Sequence, residues 1–175
     1  MLTHWNKILS TDCRVAKVND KLVYPIFRVG STSIIDSASE FYTNHEIGKL
    51  EKILVLLRNP EERFVSGLNE YCLQNKLDVH SALQMADRGE LIDRHFAPQY
   101  IWLLHLSKFY RGAVVLLPFE HITKLTHLHK RDVVPSRIQV KPLERFVDMD
   151  RELMNMVGQT VMLRQLVKGY KDVLS

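Results

Sequence analysis

Cysteine is scarce in this chain. Two residues in 175, Cys13 and Cys72, cannot build a disulfide framework, so two free thiols in a reducing compartment are expected. Long apolar runs are missing too. The longest, Ala113-Val-Val-Leu-Leu-Pro118, is the size of a buried strand, whereas a membrane span needs about 20 residues. No basic segment followed by an apolar core opens the sequence, which argues against a signal peptide. Internal repeats, low-complexity tracts and Pro/Gly/Ser-rich linkers are absent, so residues 1–175 read as a single domain. There is no block of five basic residues, zinc knuckle or RNA-binding aromatic motif to support a nucleic-acid partner. A soluble, cytoplasmic protein with no membrane partner is expected.

What is present is globular: 46% hydrophobic and 25% charged residues, enough to bury a core without staples. The net charge of +4 suits an anionic ligand but is weak evidence alone. Leu22–Phe27 is rich in β-formers and reads as a strand. Ile34, Ile35, Ala38, Phe41 and Tyr42 then recur at helical spacing. Ile53-Leu-Val-Leu-Leu57 is a continuous apolar run, as expected of a strand covered on both faces. Asn59-Pro-Glu-Glu is a helix start, with Asn as N-cap, Pro at the first position and carboxylates in the first turn. Val79–Ile92 reads as helix, interrupted near Gly89; Pro98 starts another helix to about Tyr110, followed by a strand at Ala113–Leu117. A polar, basic loop spans roughly 120–142, and Asp148–Leu174 reads as helix. Strand–turn–helix units of this kind predict a three-layer α/β fold with a mostly parallel central sheet flanked by helices. In such folds ligands bind beyond the carboxyl ends of the strands, where Arg28 and Arg58 both fall.

The most informative segment is Pro25-Ile-Phe-Arg-Val-Gly-Ser-Thr-Ser33, an apolar strand ending in a small-residue turn that opens a helix. Such a turn aims backbone N–H groups and the positive end of a helix at one point, which suits a phosphate. An ATP-binding P-loop requires Gly-Lys before its hydroxyl residue, and a Rossmann turn requires further glycines. Only Gly30 is present. A plain Gly/Ser turn is the alternative.

Four further segments follow it in order. Arg28-Val-Gly-Ser-Thr-Ser33 resembles the 5′-phosphosulfate loop of sulfotransferases, and Arg58-Asn-Pro-Glu-Glu-Arg-Phe-Val-Ser66 resembles that family's 3′-phosphate motif. His95-Phe-Ala-Pro-Gln99 is similar to an element of the carbohydrate (heparan/chondroitin-type) branch. Leu117-Pro-Phe-Glu-His-Ile122 is similar to its strand-end Tyr-Glu-Asp-Leu element, and Tyr170-Lys-Asp172 fits a common family ending. The resemblance implies a P-loop-like fold and a PAPS-dependent sulfotransferase. Such an enzyme moves a sulfuryl group from 3′-phosphoadenosine 5′-phosphosulfate (PAPS) to a hydroxyl, in this branch that of a carbohydrate, and releases adenosine 3′,5′-bisphosphate (PAP). Arg28, Val29, Gly30, Ser31, Thr32 and Ser33 would hold the 5′-phosphate, and Arg58 with Ser66 the 3′-phosphate. Two phosphate-bearing ends need two separate anion sites, and Arg58 can bind one bidentately. An ion pair with Glu61 or Glu62 is the other reading of Arg58. Arg63 is a weaker candidate that could simply pair with Glu70.

Sulfuryl transfer needs positioning and preorganised positive charge. By the resemblance Arg28 stands where the family has lysine, and arginine does not readily give up a proton. Phe41-Tyr-Thr-Asn-His45 looks like the segment that carries the family's catalytic histidine, so His45 is the candidate base. Glu46 is its substitute and Glu40 a poorer one; an exposed lone histidine is the alternative. His95 either positions substrate or caps the helix that Pro98 begins. Lys130 and Arg131 are candidates for the nucleotide or substrate, or belong to a solvated loop. No metal is expected. A P-loop-type kinase, or a non-catalytic nucleotide-binding domain, are the rival functions.

Overall fold

The computed structural model describes residues 11–90, 93–95, 97–126 and 143–174. Six strands form one sheet: β1 (Arg14–Val18), β2 (Lys21–Tyr24), β3 (Glu40–Thr43), β4 (Lys52–Leu57), β5 (Ala113–Pro118) and β6 (Thr160–Met162), in the order β3-β1-β2-β4-β5-β6. The helices are α1 (Ser31–Asp36), α2 (Asn44–Ile47), α3 (Pro60–Asn75), α4 (Val79–Asp87), α5 (Gln99–Leu106), α6 (Ile122–Leu125), α7 (Glu144–Met154) and α8 (Leu163–Leu174).

The sheet is mixed, which corrects the expectation of a mostly parallel one. β2–β4 and β4–β5 pair parallel, while β1–β2, β1–β3 and β5–β6 pair antiparallel. The parallel centre is where the apolar runs lie: Ile53, Val55, Leu56 and Leu57 are essentially fully buried, as two-sided cover requires. The antiparallel flanks come from segments whose sequence signal was masked. β1 (RVAKV) precedes the first expected strand, across a turn in which Asn19 and Asp20 take positive φ. β3 (EFYT) falls where helical spacing suggested a continuing helix, but α1 ends at Asp36 and aromatic and Thr residues favour the pleated edge. β6 interrupts the helix expected from Asp148 to Leu174, because Gly158 turns the chain at φ 87° before β-branched Thr160 and Val161.

The helix start at Asn59 is as the sequence indicates. Its side chain accepts from the N–H groups of Glu61 at 2.9 Å and Glu62 at 3.1 Å. α3 packs on α4 and α7, and α5 on α7 and α8. Strand directions place the ends of β2, β3, β4 and β5 on one edge of the sheet, and the candidate residues on that edge. Among the described residues no helix is long and apolar enough to cross a membrane. Cys13 and Cys72 are both buried free thiols.

Candidate functional site

β2 stops at Tyr24, sooner than the expected Phe27, and residues 25–30 turn into α1. The turn is tight. Val29 donates its N–H to Ile26 O at 3.1 Å, and Arg28 and Gly30 both have left-handed backbones, φ 63° and 70°. A left-handed non-glycine residue costs about 1–2 kcal/mol, so the surroundings must hold Arg28 in place. They do so through its side chain: Nε and Nη2 donate to Ser66 Oγ at 3.2 and 2.7 Å, and Nη1 to Glu70 at 3.1 Å.

This clasp joins the two sequence segments directly, the loop after β2 to the helix after β4. Because Ser66 Oγ accepts both bonds, its own proton is left to donate elsewhere. Three of the guanidinium's five N–H groups are used, and two are left. At the start of α1 the first intrahelical bond is Ile34 N–H to Gly30 O, so the N–H groups of Ser31, Thr32 and Ser33 have no helical acceptor. Val29 differs from its expected role: its N–H is spent on the turn and its side chain is fully buried.

Arg58 ends β4, next to β2 in the sheet. Gln99 fixes its backbone, accepting from Arg58 N–H at 2.8 Å and donating to Arg58 O at 2.9 Å. Its guanidinium pairs with Glu62 at 3.3 Å and lies over the Phe119 ring, 5.4 Å from the centroid. The same ring meets the loop: a Cβ on Gly30 would lie 3.2 Å from Phe119 Cε2 and would overlap Ile122 Cδ1. One aromatic side chain therefore lies under Arg58 and leaves no room for a side chain at position 30.

Arg63 pairs with no carboxylate among the described residues. It is 2% exposed, donates from Nε to Phe27 O at 3.2 Å, and has no partner for Nη2. Burial lowers its pKa to about 10, Arg28 and Arg58 push the same way, and Asp150 opposes them. Asp150, 1% exposed, accepts from the N–H groups of Gln99 at 2.7 Å and Tyr100 at 2.9 Å. It thereby caps α5, which corrects the capping role considered for His95. His95 instead hydrogen-bonds Asp93 through both its backbone N–H and Nδ1, and sets its ring edge against Phe27. The helix N-cap residue, Pro98, supplies no side-chain bond.

Gly67, beside Ser66, admits this His95 segment: a Cβ there would overlap the His95 carbonyl oxygen. Gly67→Ala gains about 1 kcal/mol of helix propensity but drives a methyl into main chain. Overpacking of this kind costs about 1–3 kcal/mol, so a lower urea midpoint is expected.

His45 is exposed in α2, beyond the end of β3. Glu46 is engaged in a capping box: its Oε2 accepts from Thr43 N at 2.9 Å and Thr43 Oγ1 at 3.1 Å. The bond from the Thr43 backbone is the largest of several interactions that lower its pKa, which makes Glu46 a poorer base than a free carboxylate. Glu40 accepts from Tyr42 Oη at 2.9 Å. Lys130 and Arg131 lie outside the described residues. Among those described, no three His, Cys, Asp or Glu side chains gather as a metal site would require.

A second feature, marked by no motif in the sequence, lies on the same edge. A cavity of about 670 Å³ adjoins the turn, with Pro25, Phe27 and Trp102 in its wall and Ile35 and Phe41 among its lining residues. It does not include Gly30–Ser33, Arg58 or Ser66, so cavity and anion anchors are neighbours and separate. His105 lines it too. Its Nε2–H donates to Thr11 O at 2.8 Å, which leaves Nδ1 to accept from Tyr24 Oη at 2.9 Å. The nearest sequence signal was a histidine inside an otherwise apolar helix. Burial lowers the His105 pKa below 6.5, so the unfolded chain takes up this proton first as the pH falls. Stability from the neutral ring is full above 6.5 and is lost below it. Urea midpoints measured across that range should fall with acidification, and should fall less in His105→Gln.

No family model matches the chain, and no curated protein or solved structure matches it either.

Proposed function

We propose that the chain is a PAPS-dependent sulfotransferase with a P-loop-like nucleotide site at the ends of β2 and β4. The observation that carries this reading is the Phe119 ring, which lies under the Arg58 guanidinium of one strand end and bounds the space in front of Gly30 in the neighbouring loop. An adenosine carrying phosphates at both ends needs two cationic anchors on one edge. Arg28, Arg58 and the open N–H groups of α1 supply them. In the reaction the acceptor oxygen attacks sulfur in line as the bond from sulfur to the 5′-phosphate oxygen breaks. Arg28, fixed by Ser66 and Glu70, would stabilise charge on the departing oxygen with its two open N–H groups. His45 is the base in this scheme, and the hydroxyl acceptor takes the sulfuryl group. A hydroxyl acceptor and a cytoplasmic location are part of this proposal.

A non-catalytic nucleotide binder is the second reading. It is favoured by the engagement of Glu46 in its cap and of Arg58 with Glu62. Labelled-sulfate transfer decides between them: His45→Ala should lose turnover and keep PAP affinity, while equal turnover would remove His45 as base. Thermal stabilisation by ATP–magnesium but not by PAP would reject the sulfotransferase reading.

A further inference from the structure

We propose that the cavity beside the turn binds an aromatic hydroxy acid as the sulfuryl acceptor, in place of a sugar; as an acceptor site, this rests on the donor reading above. Two of the three large hydrophobic side chains exposed among the described residues, Ile35 at 44% and Phe41 at 39%, line this one cavity. Behind them Phe27 stacks on Trp102, centroids 5.1 Å apart and planes 18° apart. A volume of about 670 Å³ is in the range of pockets for small molecules, about 300–1,000 Å³, and holds a ligand of two or three rings.

A sugar needs hydrogen-bonding side chains to read its hydroxyls, and of the polar ones in the lining Asp12, Asp93, Tyr24 and His105 already have partners within the protein. Thr11 is its one uncharged hydroxyl besides Tyr24, whose oxygen is taken by His105. Charge selects the other end of the ligand. Asp12 accepts from Asn44 at 3.2 Å and Asp93 is bonded to His95. Arg14 and Arg94, also in the lining, have no carboxylate in ion-pair reach among the described residues; Arg94 lies over the Phe27 ring at 4.5 Å. An apolar slot with two guanidinium groups beyond ion-pair distance of any described carboxylate fits a ring system bearing a carboxylate.

The register sets Thr43 opposite Arg14, so the strand end that leads to His45 lies on this same edge. In the transfer the ligand's hydroxyl oxygen forms the new bond to sulfur, and its proton passes to His45. The bond between sulfur and the 5′-phosphate oxygen breaks, its electron pair leaving on PAP.

The test is calorimetric binding of hydroxynaphthoate, naphthol and a hexosamine disaccharide, with PAP titrated separately, followed by labelled-sulfate transfer from PAPS. Hydroxynaphthoate is expected to bind and accept sulfate. Its dissociation constant should rise at least tenfold in the Arg14→Gln/Arg94→Gln variant and in Phe41→Asp, with PAP affinity unchanged. Sulfation of the disaccharide without hydroxynaphthoate binding, or an unchanged constant in both variants, would overturn the inference while leaving the donor reading intact. Binding of hydroxynaphthoate with none of PAP would instead overturn the donor reading and the acceptor role with it, and sustain the ligand class.

Discussion

Asp150→Ala is expected to lower stability by about 3–5 kcal/mol, because two buried N–H groups lose their acceptor, at about 1–3 kcal/mol each, and buried Arg63 loses its opposing charge. Asp150 is 1% exposed and its carboxylate serves three purposes at once. It accepts from the first two N–H groups of α5, it accepts from Gln99 Nε2 at 3.3 Å, and it is the opposing charge acting on buried Arg63. Gln99 in turn holds both backbone polar groups of Arg58. The substitution would leave the helix end uncapped and Arg63 beside two like charges, Arg28 and Arg58. Against a domain stability of about 5–15 kcal/mol a large unfolded fraction follows, measurable as a collapse of the urea midpoint. Asp150→Asn separates the causes. It retains an acceptor but not the charge, so it should recover the capping part of the loss and leave the part due to Arg63.

The second large effect is on ligand affinity. Arg58→Ala should weaken PAP binding at least 100-fold, which corresponds to about 3 kcal/mol and lies within the cost of removing a desolvated charged contact. The folded chain should barely register the change. Glu62, the partner lost, is 64% exposed, and surface pairs of this kind contribute about 0–1 kcal/mol. Glu62→Gln gives the opposite sign: it frees the guanidinium and should tighten PAP binding. Isothermal titration of the three proteins reads both directions. If Arg58→Ala and wild type bound PAP alike, Arg58 would be no more than the N-terminal partner of Glu62.

The central strands could be read from sequence because burial on both faces leaves a continuous apolar run, as in Ile53–Leu57. The α3 start was equally legible, since Asn59, Pro60 and two carboxylates each act within one turn. The edge strands were not. β3 and β6 are four and three residues long, and Ile34–Tyr42 satisfies helical spacing even though Ser37 ends the helix. Of the candidate site, Arg28, Gly30, Arg58 and Ser66 were named from short motifs, and the clasp between Arg28 and Ser66 depends on a contact across 38 positions that no local pattern encodes. The roles of Asp150 and Gln99 were hidden for the same reason. They lie 51 residues apart, and Asp150 shares its helix with the exposed charges of Glu144, Asp148, Arg151 and Glu152. Arg14 and Phe41 come to the cavity through the β1–β3 register, which the missed strands conceal.

Two anion anchors on one edge should discriminate between adenosine nucleotides by their 3′-phosphate. The decisive measurement is the ratio of dissociation constants for adenosine 5′-monophosphate and PAP on the wild-type chain. A ratio of about 100 or more is expected, from one additional charge-assisted phosphate contact of about 3 kcal/mol. Equal affinities, or tighter binding of the monophosphate, would mean that Arg58 and Ser66 do not hold a second phosphate, and would contradict the proposed donor.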